Sequence, residues 1–224
     1  MGQMKKTLKE LTFTPVQKFI FDEFTKNPSL TKNFYFTGGT ALSAIYIHHR
    51  ESEDLDFFSF NEFDTDTVDK FIESLSKKLK LKPNLIQRER TRIYRLMNRN
   101  SMIIKVDFAY YPHNRIRKGV SIEGVMVDSL RDIAINKLHT ITRRTEVKDF
   151  VDLYFLLKEF SLWDLLYGVE HKFGMELDLI WLASDFLKVN KFKFLPKMLV
   201  PLKLEDIKIF YKDLAKQLGM SVVK

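Results

Sequence analysis

The rhythm of apolar residues changes once along this chain, and that change limits the fold more than any other feature. Before Pro112 the sequence passes repeatedly between helical spacing and strict alternation, whereas from Asp128 onward it keeps helical spacing alone. TPVQKFIFDEF offers an N-cap at Thr14, a proline at the first helical position and apolar residues at Val16, Phe19, Ile20 and Phe24, which predicts a helix. NFYFT reads as a strand ending at Gly38, TALSAIYIHH as a short helix and DLDFFSF as a second strand. In TDTVDKFIESLSKKLK, Val68, Phe71, Ile72, Leu75 and Leu79 share one helical face. LIQRERTRIYRLM, SMIIKVDFAYY and GVSIEGVMV then read as strand-like runs. DSLRDIAINKLHTI, TEVKDFVDLYFLLKEF, ELDLIWLASDFLKV and LEDIKIFYKDLAKQL are helical. The pattern predicts an α+β fold: a core with a mixed sheet flanked by helices over residues 1–120, then a mainly helical domain over 121–224. The boundary lies between Pro112 and Asp128.

Composition narrows the classes. With 224 residues of which 45% are hydrophobic, the chain can bury a sizeable core. The absence of cysteine excludes disulfides and thiolate metal sites and fits a reducing cytoplasm. MGQMKKTLKE is basic but no apolar h-region follows it, and no apolar run reaches the roughly 20 residues needed to cross a bilayer, so no membrane association is expected. A net charge of +8 raises the local concentration of polyanions such as RNA or nucleotides, although a solvated lysine-rich surface gives the same number.

The chemistry concentrates in FTGGTALSAIYIHHRESEDLDFF, Phe36 to Phe58. Gly38 and Gly39 stand where a strand meets a helix, so backbone N–H groups there can approach an anion closely. The stretch is neither a Walker loop nor a dinucleotide fingerprint, and a glycine pair is by itself compatible with a simple tight turn. Asp54 and Asp56 flank Leu55, so on a strand both carboxylates face the same way with Cα atoms roughly 6 to 7 Å apart. Two such groups can hold divalent cations, and placing them side by side calls for a cation or open solvent. ELDL, from Glu176, has the same short pattern in a helical context, so the pattern alone is weak. Asp107 supplies a third carboxylate. In MIIKVDFAYY, Ile104, Val106 and Phe108 take one face and Ile103, Lys105, Asp107 and Ala109 the other.

Taken together, these residues resemble the signature of the AbiEii/AbiGii-type nucleotidyltransferases, toxin components of bacterial toxin–antitoxin and abortive-infection systems within the DNA polymerase β-like superfamily. That resemblance implies a metal-dependent, pyrophosphate-releasing enzyme that moves NMP from an NTP to an acceptor hydroxyl. RNA, such as the acceptor end of tRNA, or a protein would carry the hydroxyl. It implies Mg²⁺ or Mn²⁺ held by Asp54, Asp56 and Asp107, triphosphate cradled by Gly38 and Gly39, an antitoxin as functional partner, a cytoplasmic location, and a helical domain that completes the active-site cleft. Thr40, Ser43, Arg50 and Ser52 fall on further positions the family favours for nucleotide binding.

INKLHTITRRTEVKDFVDLYFLL carries a second resemblance, to the family's Lys, then Arg, then Arg-Asp-x-x-Asp-Leu pattern. Lys137, Arg144 and Lys148 would join the nucleotide-binding set, and Lys137 and Asp152 the catalytic one. Lysine stands at 148 where the family has arginine, which removes a bidentate fork. Physically, Lys137 sits four residues from both Ile133 and Ile141, inside the apolar stripe of its helix, and needs a partner there: a snorkelling path to water or a phosphate. Asp149 and Asp152, three apart, read either as a capping arrangement or as buried partners of Lys137 or Arg144. Asp152 would orient those cations or help activate the acceptor. Arg88, Arg90 and Arg92 alternate and are expected to line one strand face, as an RNA track or a solvated edge. His48 and His49 read as structural or surface residues. A catalytically silent nucleotide- or RNA-binding module of the same fold is the alternative, and a metal-dependent phosphohydrolase a third reading.

Overall fold

A computed structural model describes residues 11–222. The basic opening segment, read above for its lack of an h-region, lies outside them. Helix α1 (Pro15–Thr25) begins as predicted: Thr14 and Gln17 form a reciprocal capping box with proline at the first turn. A short helix α2 (Pro28–Asn33), capped by Asn27, leads into strand β1 (Tyr35–Thr37). Gly38 then opens α3 (Gly38–Ala41), which continues as a π-helical turn over Leu42–Ile47. Strand β2 (Leu55–Ser59) and helix α4 (Thr65–Leu79), N-capped by Asp64, follow.

The run LIQRERTRIYRLM is not one strand. It is split between β3 (Lys82–Arg88) and β4 (Thr91–Asn98), an antiparallel pair whose turn lies at Glu89 and Arg90. The expected row of three arginines therefore does not exist: Arg88 ends β3, Arg90 is in the turn, and Arg92 is buried on β4. Arg92 donates through Nη2 to both oxygens of Asp69 at 2.7 and 2.6 Å. Strand β5 (Ser101–Tyr110) runs antiparallel to β4. Strands β6 (Ser121–Ile122) and β7 (Val125–Val127) close the sheet as a hairpin whose two turn residues, Glu123 and Gly124, both have positive φ.

The seven strands order as β3-β4-β5-β2-β1-β7-β6, mixed as predicted, with β1 antiparallel to β2 and parallel to β7, and β2 parallel to β5. Alternation does what the sequence implied. Leu55, Phe57, Ile104, Val106 and Phe108 are buried while Asp56, Lys105 and Asp107 are partly exposed on the other face. Phe24 of α1 stacks on Phe57 at 4.1 Å between centroids, Phe57 stacks on Phe108 at 5.3 Å, and Phe71 of α4 meets Phe24 edge-on. This aromatic layer fixes the level of β2 and β5.

The remaining helices are α5 (Leu130–Arg143), α6 (Val147–Leu156), α7 (Leu162–Phe173), α8 (Leu179–Leu187), a 3₁₀ turn (Lys188–Lys191) and α9 (Leu204–Val222). Asp178 of the ELDL pattern is the N-cap of α8, accepting from Ile180 and Trp181 N–H, so that pattern is a helix start. The chain divides into two compact units. The sheet unit holds the residues up to Tyr46, Ser52–Asn114 and Lys118–Ser129; the helical unit holds Ile47–Glu51, Arg115–Arg117 and the residues from Leu130. The division falls later than the expected 120/121 because the β6–β7 hairpin belongs to the sheet. Within the helical unit, the fully buried Asp132 accepts from Ile116 and Arg117 N–H and from the buried Lys172 at 2.8 Å.

Phe57→Ala should cost about 3–5 kcal/mol, because it opens a cavity between three stacked rings. Phe194→Ala, at a side chain 73% exposed, should change stability by less than about 0.5 kcal/mol. Urea titration of both variants measures the contrast.

Candidate active site

The sheet unit brings the first set of predicted residues together. Register places Thr37 opposite Asp56 on one side and Asp107 beside Asp56 on the other. Gly38 follows Thr37 directly, so its backbone lies against the Asp56 carboxylate. A Cβ at Gly38 would stand 2.0 Å from Asp56 Oδ2, and φ at Gly38 is +78°. Only glycine satisfies both conditions. Thr37 does not cap the helix that starts here; its hydroxyl donates instead to Asp128 Oδ2 at 2.9 Å. The N-terminus of α3 therefore takes no side-chain cap from Thr37.

Asp54 stands one residue ahead of β2, and its approach is clamped from two sides. Thr40 of α3 donates its hydroxyl to the Asp54 carbonyl and lies 2.8 Å from the Ser52 hydroxyl, and Gln17 of α1 donates to the Ser52 carbonyl at 2.6 Å. Thr40 and Ser52 therefore hold the loop that carries Asp54. Ser43, in the π-helical turn, is buried.

Sequence reasoning placed Lys105 on the Asp107 face and gave it no role. Its ammonium sits 2.7 Å from Asp107 Oδ2 and 3.2 Å from Asp54 Oδ2. Burial works against its charge, but Asp56, Asp107 and Asp54 outweigh that and raise its pKa above the ordinary lysine value. Asp128 was missed as well. It is fully buried, and its carbonyl accepts from Tyr46 at 2.8 Å, tying the π-helical turn to the end of β7.

The donor set suits a divalent cation. It is made of hard carboxylate oxygens on neighbouring strands, matched to Mg²⁺ or Mn²⁺, and a cation is already accommodated there in the form of the Lys105 ammonium. As placed, no three His, Cys, Asp or Glu side chains among the described residues converge tightly enough to chelate an ion.

The second predicted set gathers in the helical unit, where Asp152 pairs with Lys137, one of the partners the sequence offered it. Lys137 is buried, with Nζ 2.7 Å from Asp149 Oδ1 and 2.6 Å from Asp152 Oδ2. Arg50 grips Asp152 with two parallel bonds, Nε at 2.6 Å and Nη2 at 2.8 Å. His49 Nε2 lies 2.7 Å from the same carboxylate, so His49 is structural and fully buried. Arg144 reaches Asp149 at 2.7 Å from a half-exposed position. Lys148 is half-buried on α6. The capping reading of Asp149 fails: Glu146 holds the N-cap position of α6, and Asp149 faces inward to Lys137 and Arg144.

Burial alone would raise the Asp152 pKa, but Lys137, Arg50 and the His49 hydrogen bond outweigh it and hold the carboxyl far below the usual carboxylate range. Asp149 is held down in the same way, against its own burial, by Lys137 and Arg144. Such carboxylates are poor proton acceptors. Lys137 is raised: burial opposes its charge, and Asp152 and Asp149 more than compensate. Lys137, Arg50 and Asp152 are thus a buried ionic lattice that orients the helices carrying it.

The family model for the nucleotidyl transferase AbiEii toxin of type IV toxin–antitoxin systems matches residues 21–214. The chain belongs to the AbiEii family. A curated relative by sequence, the uncharacterized protein aq_aa25 from Aquifex aeolicus, is 34% identical over 140 residues, which is 61% of this chain and 63% of that protein. The chain thus spans just under two thirds of that relative's length. The crystal structure of JHP933 from Helicobacter pylori superposes with a TM-score of 0.53 at 21% identity, covering 91% of this chain and 90% of that one. MenT4, a nucleotidyltransferase toxin from Mycobacterium tuberculosis, gives 0.50 at 14% identity over 92% of this chain and 86% of its own. These likenesses show a fold shared with those two proteins. No helix among the described residues is long and apolar enough to cross a membrane.

Two outcomes test the geometry. Gly38→Ala should lower stability by about 1–3 kcal/mol, since it combines a strained φ with a collision at Asp56. For the lattice, Asp149 and Asp152 have folded pKa values below their unfolded ones, so their stabilisation is complete above about pH 4 and is lost as pH falls towards the folded values. Lys137 has the opposite sign, with its contribution lost only above its unfolded pKa in the alkaline range. Asp152→Asn should cost about 3–5 kcal/mol, because it leaves Lys137 and Arg50 buried beside a neutral group. It should also flatten the acid limb of the stability–pH curve, measured by denaturant unfolding between pH 2 and 7.

Proposed function

We propose that this AbiEii protein is a metal-dependent nucleotidyltransferase that moves NMP from an NTP to an acceptor hydroxyl, and that it acts as the toxin of a bacterial toxin–antitoxin pair. The observation that carries this reading is the contact of the Gly38 backbone with the Asp56 carboxylate, beside Asp107 in register. Backbone N–H donors for phosphate beside carboxylates for a cation are the pairing phosphoryl transfer requires, and this contact supports that reading.

Asp54, Asp56 and Asp107 are the metal ligands in this reading. Bound there, Mg²⁺ or Mn²⁺ would neutralise charge on the reacting phosphoryl group and the departing pyrophosphate. Gly38 and Gly39 N–H groups bind the triphosphate. Thr40 and Ser52 keep Asp54 in place, and Ser43 lies buried in the π-helical turn that follows Thr40. Asp107 orients the acceptor hydroxyl and takes its proton as the oxygen forms a bond to the α-phosphorus, while the bond to the bridging oxygen breaks and its electron pair leaves with pyrophosphate. Lys137, Arg50 and Asp152 act as positioning residues, and Arg144 and Lys148, nearer the surface, are the candidates in that unit for direct phosphate contact.

The acceptor is RNA, with the acceptor end of tRNA the leading candidate, and a protein hydroxyl is the second reading. The +8 charge favours a polyanionic acceptor. A cytoplasmic location and an antitoxin partner complete the proposal.

Incubating the protein with Mg²⁺, each of four labelled NTPs and fractionated cellular RNA and protein should label RNA. Asp54→Ala combined with Asp56→Ala should lower transfer by at least about a thousandfold, the scale expected when charge stabilisation at the transition state is removed. Transfer by that variant at the wild-type rate would sink the reading. Metal-independent nucleotide binding with no transfer would favour the silent binding module, and release of free nucleotide without a labelled acceptor would indicate a phosphohydrolase.

A further inference from the structure

Strand β5 carries a cation of its own into the carboxylate cluster. Lys105 and Asp107 lie two apart on one strand face, and the lysine stem reaches across so that Nζ bridges Asp107 Oδ2 and Asp54 Oδ2 at 2.7 and 3.2 Å. The side chain is about four-fifths buried, at 22% exposure, so the ammonium is not a loosely tethered surface charge. An ammonium and a divalent cation cannot share those two oxygens.

We propose that Lys105 is a built-in counter-cation of the Asp54–Asp56–Asp107 site, which holds the carboxylates compatible with one another without metal and must withdraw from them before a divalent cation enters. This rests on the assignment of these aspartates as metal ligands. The physical case is charge balance. Asp56 and Asp107 are register partners and Asp54 stands one residue ahead of β2, so the three carboxylates repel one another, and the β2–β5 register prevents Asp56 and Asp107 from moving apart. An ammonium on a flexible four-carbon stem satisfies them and can also leave, because its four torsions are ordinary staggered rotors. Lys105 therefore sets how tightly the site takes metal, and a nucleotide that brings both phosphate and cation would displace it more readily than the cation alone.

The test is Mn²⁺ binding without nucleotide, read from the electron paramagnetic resonance of free Mn²⁺. Lys105→Met should bind Mn²⁺ at least about tenfold more tightly than wild type, the effect expected when a cation within hydrogen-bond distance of the ligand oxygens is removed. Lys105→Arg, which keeps the charge, should bind within about threefold of wild type, much less than that gain. Lys105→Gln serves as a second uncharged variant if the methionine protein folds poorly. In either uncharged variant the thermal midpoint should rise more on adding Mn²⁺ than it does in wild type. Wild-type Mn²⁺ binding with unchanged or weaker affinity in both uncharged variants would overturn the Lys105 inference alone. So would an arginine variant that gains as much as methionine. If neither wild type nor the uncharged variants bind Mn²⁺, both this inference and the metal-ligand assignment fail.

Discussion

The register between β2 and β5 is the constraint on which the proposed site depends. Parallel pairing sets Asp56 beside Asp107 and Phe57 beside Phe108, so one face of the two strands is carboxylate and the other is aromatic. A slip of one residue would turn carboxylates into the phenylalanine layer and rings into water, so the packing of Phe24, Phe57 and Phe108 and the position of the acids are one choice. Hydrophobic burial on one side supplies the free energy that holds like charges together on the other. The same register, continued to β1, brings Thr37 opposite Asp56 and so delivers the Gly38 backbone to its carboxylate.

Charge in the helical unit serves a different purpose. Lys137, Arg50, Asp149 and Asp152 neutralise one another out of water, with His49 hydrogen-bonded to Asp152, and their cost of desolvation is offset only because nearly every polar atom meets a partner at 2.6–2.7 Å or close to it. Residues that a motif comparison assigns to ligand contact can thus be devoted to holding helices and the Ile47–Glu51 segment in one arrangement. Arg50 shows this most clearly: it is 2% exposed, and both donors on its Asp152-facing edge are used.

Periodicity made part of this legible in the sequence. Asp54, Asp56 and Asp107 could be assigned to one face because strands alternate, and the burial of Lys137 followed from its place between Ile133 and Ile141. Its partners did not, since Arg50 and Asp152 are 102 residues apart and nothing local encodes their meeting. The β3–β4 turn escaped notice because Glu89 and Arg90 carry no turn signature, and α2 is too short for a helical pattern to register. Helix α7 was passed over; Gly168 weakens its helical signal, and it lets α7 pack closely on α5, since a Cβ there would meet Ile135 Cδ1 at 2.4 Å and force that side chain to shift. Lys105 was on the correct face in the alternation, but its bridge to Asp54 depends on a strand pairing that one sequence does not reveal.

The central claim is that the Gly38 turn and the Asp54, Asp56 and Asp107 carboxylates form one metal and nucleotide site. Diffraction from crystals grown with Mn²⁺ and a non-hydrolysable NTP analogue, at a wavelength where manganese scatters anomalously, tests it most directly. The account predicts an anomalous peak coordinated by carboxylate oxygens of Asp54, Asp56 and Asp107, with triphosphate density on the Gly38 and Gly39 amides and Lys105 Nζ turned away from Asp54. A manganese peak or triphosphate bound elsewhere, with Lys105 still bridging Asp54 and Asp107, would contradict it.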